Sequence, residues 1–203
     1  YSVRVRAKND SGFGFWSEKE FIWTIPGVVE NVNVNAAQTW IELAWEHVVG
    51  ATGYDIELNG NIIKNVVSPY WFYDLEMGTK YIIKIRAINS SGEGEWSNDY
   101  EKWTLPGIPE NITAQSEPNF INIIWDEVTG ATGYDIEVYG APVDTGGLTT
   151  YVHYGLNANT QYTYRVRAKN NSGVGEWSSY IAKSTLTGKP EYIYTESDDT
   201  QIH

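Results

Sequence analysis

The string Tyr81-Ile-Ile-Lys-Ile-Arg-Ala-Ile-Asn-Ser-Ser-Gly-Glu-Gly-Glu-Trp-Ser97 occurs in three versions, and this repetition constrains the fold most. Tyr1-Ser-Val-Arg-Val-Arg-Ala7 runs on through Gly12-Phe-Gly-Phe-Trp16-Ser17. Tyr162-Thr-Tyr-Arg-Val-Arg-Ala168 runs on through Gly173-Val-Gly-Glu-Trp177-Ser178. The copies start 80 and 81 residues apart, so 203 residues hold two complete units plus fragments. A fixed period of that size is the mark of a tandem array of small domains.

Composition narrows what such domains can be. Fifteen tyrosines and nine tryptophans against one methionine point to strand-rich packing, because aromatic rings fit pleated, half-buried surfaces. The absence of cysteine rules out disulfide staples and thiolate chemistry. A net charge of −12 argues against a nucleic-acid partner, which needs clustered Lys and Arg. No run of 18 apolar residues is present, so no membrane insertion is expected. The sequence starts with Tyr and shows no signal peptide, as a piece of something longer would.

Residues 1–26 hold two strand-like stretches, Tyr1–Asn9 and about Phe15–Thr24, around a Gly-rich turn. They read as the C-terminal half of a repeat, strands F and G. Residues 27–106 read as a complete repeat. Ile41, Leu43 and Trp45 alternate with Trp40, Glu42 and Ala44, the period of a half-buried strand. Tyr54, Ile56 and Leu58 form the next inward row, closed by Asn59-Gly60, a strong type I′ hairpin signal. Tyr70–Tyr73 is a short aromatic strand. Residues 107–187 repeat the pattern: Gly130-Ala-Thr-Gly-Tyr-Asp-Ile-Glu137 matches Gly50–Glu57 residue for residue. Residues 188–203 fall in register with strand A and part of strand B of a further repeat. Short strands at turn-punctuated spacing without helical periodicity are expected to form β-sandwiches.

The inward Trp45 and Trp125 carry a family resemblance, together with the corners Leu75…Tyr81 and Leu156…Tyr162 and the Tyr-x-x-x-[Val/Ile]-Arg-Ala-x-Asn-x-Ser-Gly-x-Gly-x-Trp-Ser block. The repeats resemble fibronectin type III domains across nearly the whole chain. The resemblance implies an all-β protein of tandem seven-stranded Greek-key β-sandwiches, sheet A-B-E on sheet C′-C-F-G, with incomplete repeats at both ends. The Gly-Ala-Thr-Gly-Tyr-Asp-Ile-Glu wording is similar to repeats of large bacterial extracellular proteins. These often lie beside carbohydrate-active or adhesive domains. An immunoglobulin reading lacks its paired Cys. Physically, a corner tyrosine fills core with its ring and can bond backbone with its hydroxyl. A buried Trp removes on the order of 150–250 Å² from water. At about 25 cal/mol per Å² this is worth roughly 4–6 kcal/mol before entropy. Trp45, Tyr81, Trp125 and Tyr162 are therefore the expected structural residues.

Two constellations are candidate interaction surfaces. Arg4 and Arg6, Lys84 and Arg86, and Arg165 and Arg167 each share a hairpin with a Trp (Trp16, Trp96, Trp177). Stacked cation on ring, they would form either a partner face or, since the pattern recurs in every copy, an internal brace. The layout resembles the Trp-Ser motif of cytokine-receptor domains, with one Trp-Ser step per copy. On the opposite sheet, alternation places Trp40, Trp71 and Tyr73 outward, with Phe120, Val152 and Tyr154 as counterparts. Such a strip would stack on sugar rings or dock another protein. Trp23 and Trp103 sit beside the linkers and are assigned to the joint between repeats.

Little points to catalysis. His47, His153 and His203 are scattered and read as packing or surface residues, and Glu57 and Glu137 read as solvated strand positions. There is no metal-ligand spacing, phosphate loop or nucleophile elbow, and no cofactor is expected. The Asn-x-Ser/Thr triplets at Asn9, Asn89, Asn111 and Asn170 read as loop chemistry rather than glycan sites. The expected function is a non-catalytic spacer or protein-interaction and adhesion module of a larger extracellular or cell-surface protein, in some settings part of a filament. The expected partners are proteins or neighbouring copies. The alternative is a carbohydrate-binding accessory module of a secreted glycoside hydrolase, with a polysaccharide partner. Short linkers at Ile25-Pro26-Gly27 and Leu105-Pro106-Gly107 favour a semi-rigid rod whose ends pack on a neighbour or continue a polymer.

Overall fold

In the computed structural model, which describes residues 1–189, every regular element is a β-strand. Residues 190–203, most of the segment expected to begin a further repeat, lie outside the described residues. Residues 1–26 form two antiparallel pairs: β1 (Ser2–Val3) with β4 (Glu20–Phe21), and β2 (Arg6–Asn9) with β3 (Gly12–Trp16). All of these strand residues are exposed.

Residues 27–106 form a sandwich. Its strands are β5 (Asn33–Ala36), β6 (Ile41–Ala44), β7 (Gly53–Leu58), β8 (Asn61–Val66), β9 (Tyr70–Phe72), β10 (Lys80–Asn89), β11 (Gly92–Glu93) and β12 (Tyr100–Trp103). One sheet runs β5-β6-β9; the other runs β8-β7-β10-β11, with β12 also on β10. Alternation decides which side chains meet. Ile41 and Leu43 face Ile56, Ile83, Ile85 and Ala87, all without exposed surface. Trp45 packs edge-on to Tyr54, with centroids 5.2 Å apart. The Asn59-Gly60 turn has both φ angles positive, 48° and 86°, as a type I′ hairpin requires.

Residues 107–187 repeat the plan. Here the strands are β13 (Thr113–Ser116), β14 (Phe120–Ile124), β15 (Gly133–Val138), β16 (Ala141–Gly146), β17 (Thr150–Tyr154), β18 (Gln161–Asn170), β19 (Gly173–Val174) and β20 (Ile181–Ser184). The sheets are β13-β14-β17 and β16-β15-β18-β19, with β20 also on β18. Trp125 packs on Tyr134 at 5.7 Å. The expected A-B-E on C′-C-F-G arrangement is present in both sandwiches, with A, B, C, C′, E and F being β5 to β10 in the first and β13 to β18 in the second, and with strand G broken into two pieces, β11 and β12 or β19 and β20. Both indole N–H groups, of Trp45 and Trp125, lack an acceptor among the described residues. That offsets about 1–3 kcal/mol of the gain from burying each ring.

Both corner tyrosines accept a backbone N–H. The Tyr81 hydroxyl accepts the Glu76 N–H at 3.0 Å and the Tyr162 hydroxyl accepts the Asn157 N–H at 3.1 Å. Tyr81 is buried, whereas Tyr162 is only half-buried at the rim of its core. By packing, the described residues divide into two units: Tyr1–Gly107 with Lys169–Gly175, and Ile108–Ala168 with residues 176–189.

Candidate interaction surfaces

The break in strand G has a local cause. In residues 27–106, the Ser97 hydroxyl accepts the Ile85 N–H at 3.1 Å while the Ser97 N–H donates to the Ile85 carbonyl at 2.8 Å. A side-chain oxygen thus replaces a ladder carbonyl, and the neighbouring Trp96 lies over the sheet face. Ser178 treats Val166 in the same way, at 3.0 and 2.9 Å. Ser17 treats Val5 so as well, at 3.0 and 2.8 Å. The Trp-Ser step is therefore a bulge that aims a ring at the strand F cations.

Those cations lie over the rings, with one exception. Arg86 lies 4.6 Å from the Trp96 ring, and Arg165 and Arg167 lie 4.9 and 4.4 Å from Trp177. Arg4 and Arg6 lie 4.6 and 4.5 Å from Trp16. The exception is Lys84, whose ammonium sits between Glu57 and Asp99, 3.7 Å from each, instead of over Trp96. Each arginine in the two sandwiches also holds a strand C carboxylate. Arg86 grips the buried Asp55 through Nε at 3.1 Å and Nη2 at 2.8 Å, and Arg167 grips Asp135 at 3.0 and 2.9 Å. Arg165 pairs with Glu137 at 2.5 Å, while the Tyr180 hydroxyl donates to the same carboxylate at 2.6 Å. The Arg165 guanidinium and then the Tyr180 hydroxyl hold Glu137 below the ordinary carboxylate range. This corrects the solvated reading of Glu137, which is buried.

On the opposite sheet, Trp71, Tyr73 and Tyr154 are 38%, 65% and 69% exposed. Trp40 and Phe120 are half-buried, and Phe120 leans on Tyr154 at 5.6 Å. The outward strip therefore has three open rings split between two sandwiches. Among the described residues, no cluster of His, Asp or Glu is built to hold a metal ion, and no helix is long and apolar enough to cross a membrane.

The sequence pattern of the fibronectin type III domain matches residues 27–103 and 107–184. The chain belongs to the fibronectin type III family. It is 26% identical over 223 residues to mouse fibronectin type-III domain-containing protein 3A, covering 94% of this chain and 19% of that protein. It is 31% identical over 169 residues to chitinase A1 of Niallia circulans, covering 74% of this chain and 24% of that protein. A two-domain fibronectin type III segment of chicken tenascin aligns over 80% of this chain and all of its own, at 16% identity and a TM-score of 0.48. The chain spans about a fifth of the length of such curated relatives.

Two features of these fibronectin type III repeats were read only coarsely from the sequence, His153 as a packing or surface residue and Asn89 as loop chemistry. The first is His153, which is buried with Nδ1 2.9 Å from the Tyr164 hydroxyl. The rings of Tyr139, Tyr164, Tyr162 and Tyr151 surround it at 5.1 to 6.3 Å. Burial lowers the His153 pKa and raises that of Tyr164. Register against the preceding repeat, where Phe72 and Ile83 stand, was the available signal. The second is the F–G loop. Asn89 Nδ2 donates to the Thr24 and Gly50 carbonyls at 2.8 and 3.0 Å, and Ser91 Oγ donates to the Trp23 carbonyl at 2.5 Å. The Asn89 amide, the nitrogen a glycan would take, is therefore in use as a hydrogen-bond donor. Trp23 itself packs near Gly50.

Proposed function

We propose that the chain is a non-catalytic tandem segment, a structural spacer and protein-interaction or adhesion module of a larger extracellular or cell-surface protein, filaments included. The observation that carries this reading is the linker Trp23–Pro26. Its carbonyls are taken by side chains of the next repeat's F–G loop, so it is held rather than left as free coil. The recurring Arg, Trp, Asp and Glu groups act as internal braces, each engaged within its own sheet. Relatives in which the matching portion is a minor part of a longer chain support a module. Small-angle scattering tests the spacer: an extended particle supports it and a compact globule overturns it.

The open rings of Trp71, Tyr73 and Tyr154 favour a second reading, a carbohydrate-binding accessory module of a secreted glycoside hydrolase. The similarity to part of chitinase A1 supports it. Pull-down on insoluble polysaccharides decides. Retention of the chain that Trp71→Ala abolishes supports this reading, and no retention of the unaltered chain ends it.

A further inference from the structure

The loop Ala7–Gly14 borders an open groove of about 330 Å³ lined by every residue of Ala7–Gly14 except Asp10, the exposed Phe13 included. The equivalent loop, Ala87–Gly94, shows what such a groove holds. Trp23–Pro26 crosses it. Ser91 Oγ takes the Trp23 carbonyl at 2.5 Å and Asn89 Nδ2 takes the Thr24 carbonyl at 2.8 Å. Ile25 lies against Gly92, where a Cβ would come within 3.7 Å of it. The Pro26 carbonyl crowds Gly94 so closely that a Cβ there would meet it at 2.8 Å. Asn170, in the same compact unit, likewise donates to the Thr104 carbonyl at 2.8 Å. A Cβ on Gly173 would meet Leu105 at 3.1 Å.

All three loops share one construction. The Asn side-chain oxygen accepts the N–H two residues on, at 3.0 Å for Asn9, 2.8 Å for Asn89 and 2.9 Å for Asn170. That turn aims Nδ2 outward. Gly12, Gly92 and Gly173 have φ of +134°, +141° and +146°, a backbone state closed to other residues. At Gly14 an added Cβ would meet only Ala7, at 3.6 and 3.9 Å, so the floor of this groove is clear. Proline suits the visitor, because it biases the residue before it toward the extended state and lowers the entropy of docking.

We propose that the Asn9–Gly14 groove docks an extended Trp-Thr-aliphatic-Pro-Gly segment, the strand-end linker of another fibronectin type III repeat. Ser11 would take the Trp carbonyl, Asn9 the Thr carbonyl, and Gly12 and Gly14 would give room for the aliphatic side chain and the Pro carbonyl. The inference rests on the module reading and adds a partner of defined chemistry.

The test is a titration of the full chain, followed by amide NMR, with a capped peptide copying residues 101–107. Saturable shifts confined to Asn9, Ser11, Gly12 and Gly14 are expected. Gly14→Ala should weaken binding by at least roughly tenfold, because the methyl occupies the place of the incoming carbonyl. Asn9→Asp keeps the turn acceptor but replaces the outward donor, and should weaken it similarly. Retained cross-strand contacts between Arg6 and Trp16 and between Lys8 and Phe13 confirm that each variant keeps the hairpin. No shifts at this loop up to millimolar peptide, or equal affinity in both variants, overturns the proposal. Such a failure leaves the spacer reading to scattering, whose outcome does not depend on this groove.

Discussion

The sandwiches at 27–106 and 107–187 share a frame and differ in the polar chemistry placed on it. On the C-F-G face, Lys84 reaches Glu57 and Asp99 loosely, 3.7 Å from each. At the corresponding places Arg165 forks onto Glu137, whose other oxygen takes the Tyr180 hydroxyl. Inside, Phe72 and Ile83 in the first sandwich become His153 and Tyr164 in the second. At the C–C′ turn Asn59 becomes Tyr139, a non-glycine residue at φ 54°. The Asn59 side chain had accepted the Ile82 N–H at 2.9 Å; the Tyr139 ring instead lies edge-on to His153. A planar five-donor guanidinium can serve a carboxylate and a stacked ring together, whereas an ammonium is a point charge on a flexible stem. The comparison teaches that one β-pairing scheme and one Trp–Tyr core contact accept different polar groups at these places.

The sharpest way to break this comparison is to remove that shared core. Trp45→Ala and Trp125→Ala should each cost about 3–5 kcal/mol. In thermal melts each should abolish the unfolding transition of its own sandwich. An unchanged melt in either variant contradicts the shared-frame view.

A smaller effect separates the two interiors. His153→Phe alone should cost about 1–3 kcal/mol, because it strands the buried Tyr164 hydroxyl. His153→Phe with Tyr164→Ile, which copies the other sandwich, should recover most of that loss. The pair also sets a pH dependence. Burial depresses the folded-state pKa of His153, so the unfolded chain takes the proton first. Stability of this sandwich is complete above about pH 6.5 and falls as pH drops below it toward the folded value. Glu137, also lowered on folding, adds a second loss below about pH 4.3. Chemical denaturation between pH 7.5 and 5 should show the first loss in the parent chain and none of it in the double variant. An identical slope in both would assign the acid sensitivity elsewhere.

The smallest expected effect lies on the outer face. Arg165→Lys should cost roughly 0.5–1 kcal/mol, and Lys84→Arg should gain a few tenths, both shrinking in high salt. Equal and opposite changes, read from denaturant midpoints, would mean that the two faces are interchangeable.

Much of the frame was legible in the chain. Alternation at Ile41-Glu-Leu-Ala-Trp45 set the inward row, and the 80-residue period set the tandem plan. Leu75…Tyr81 marked the corner, since a tyrosine needing both core and a backbone donor has few places to go. Arg86, Arg165 and Arg167 share a hairpin with a Trp at one recurring spacing, which is why the sequence put cation and ring together. Lys84 was misread with them: which group an ammonium chooses depends on carboxylates that strand C and the end of strand G bring beside it. Glu137 was misread for the same reason, its burial being set by Arg165 and Tyr180 from two other strands.

The sequence by itself determined the β-sandwich, its period and its core tryptophans, because these follow from local alternation and repetition. Tertiary structure alone decided the rest. It made Ser97 a stand-in for a ladder carbonyl, and it brought Tyr164 against His153. It also laid Trp23–Pro26 on the Asn89 loop, which makes the opening motif a place where a neighbouring linker is held. Each of these joins residues far apart in the chain through a hydrogen bond that exists only once two strands, or a strand and a linker, have been packed together.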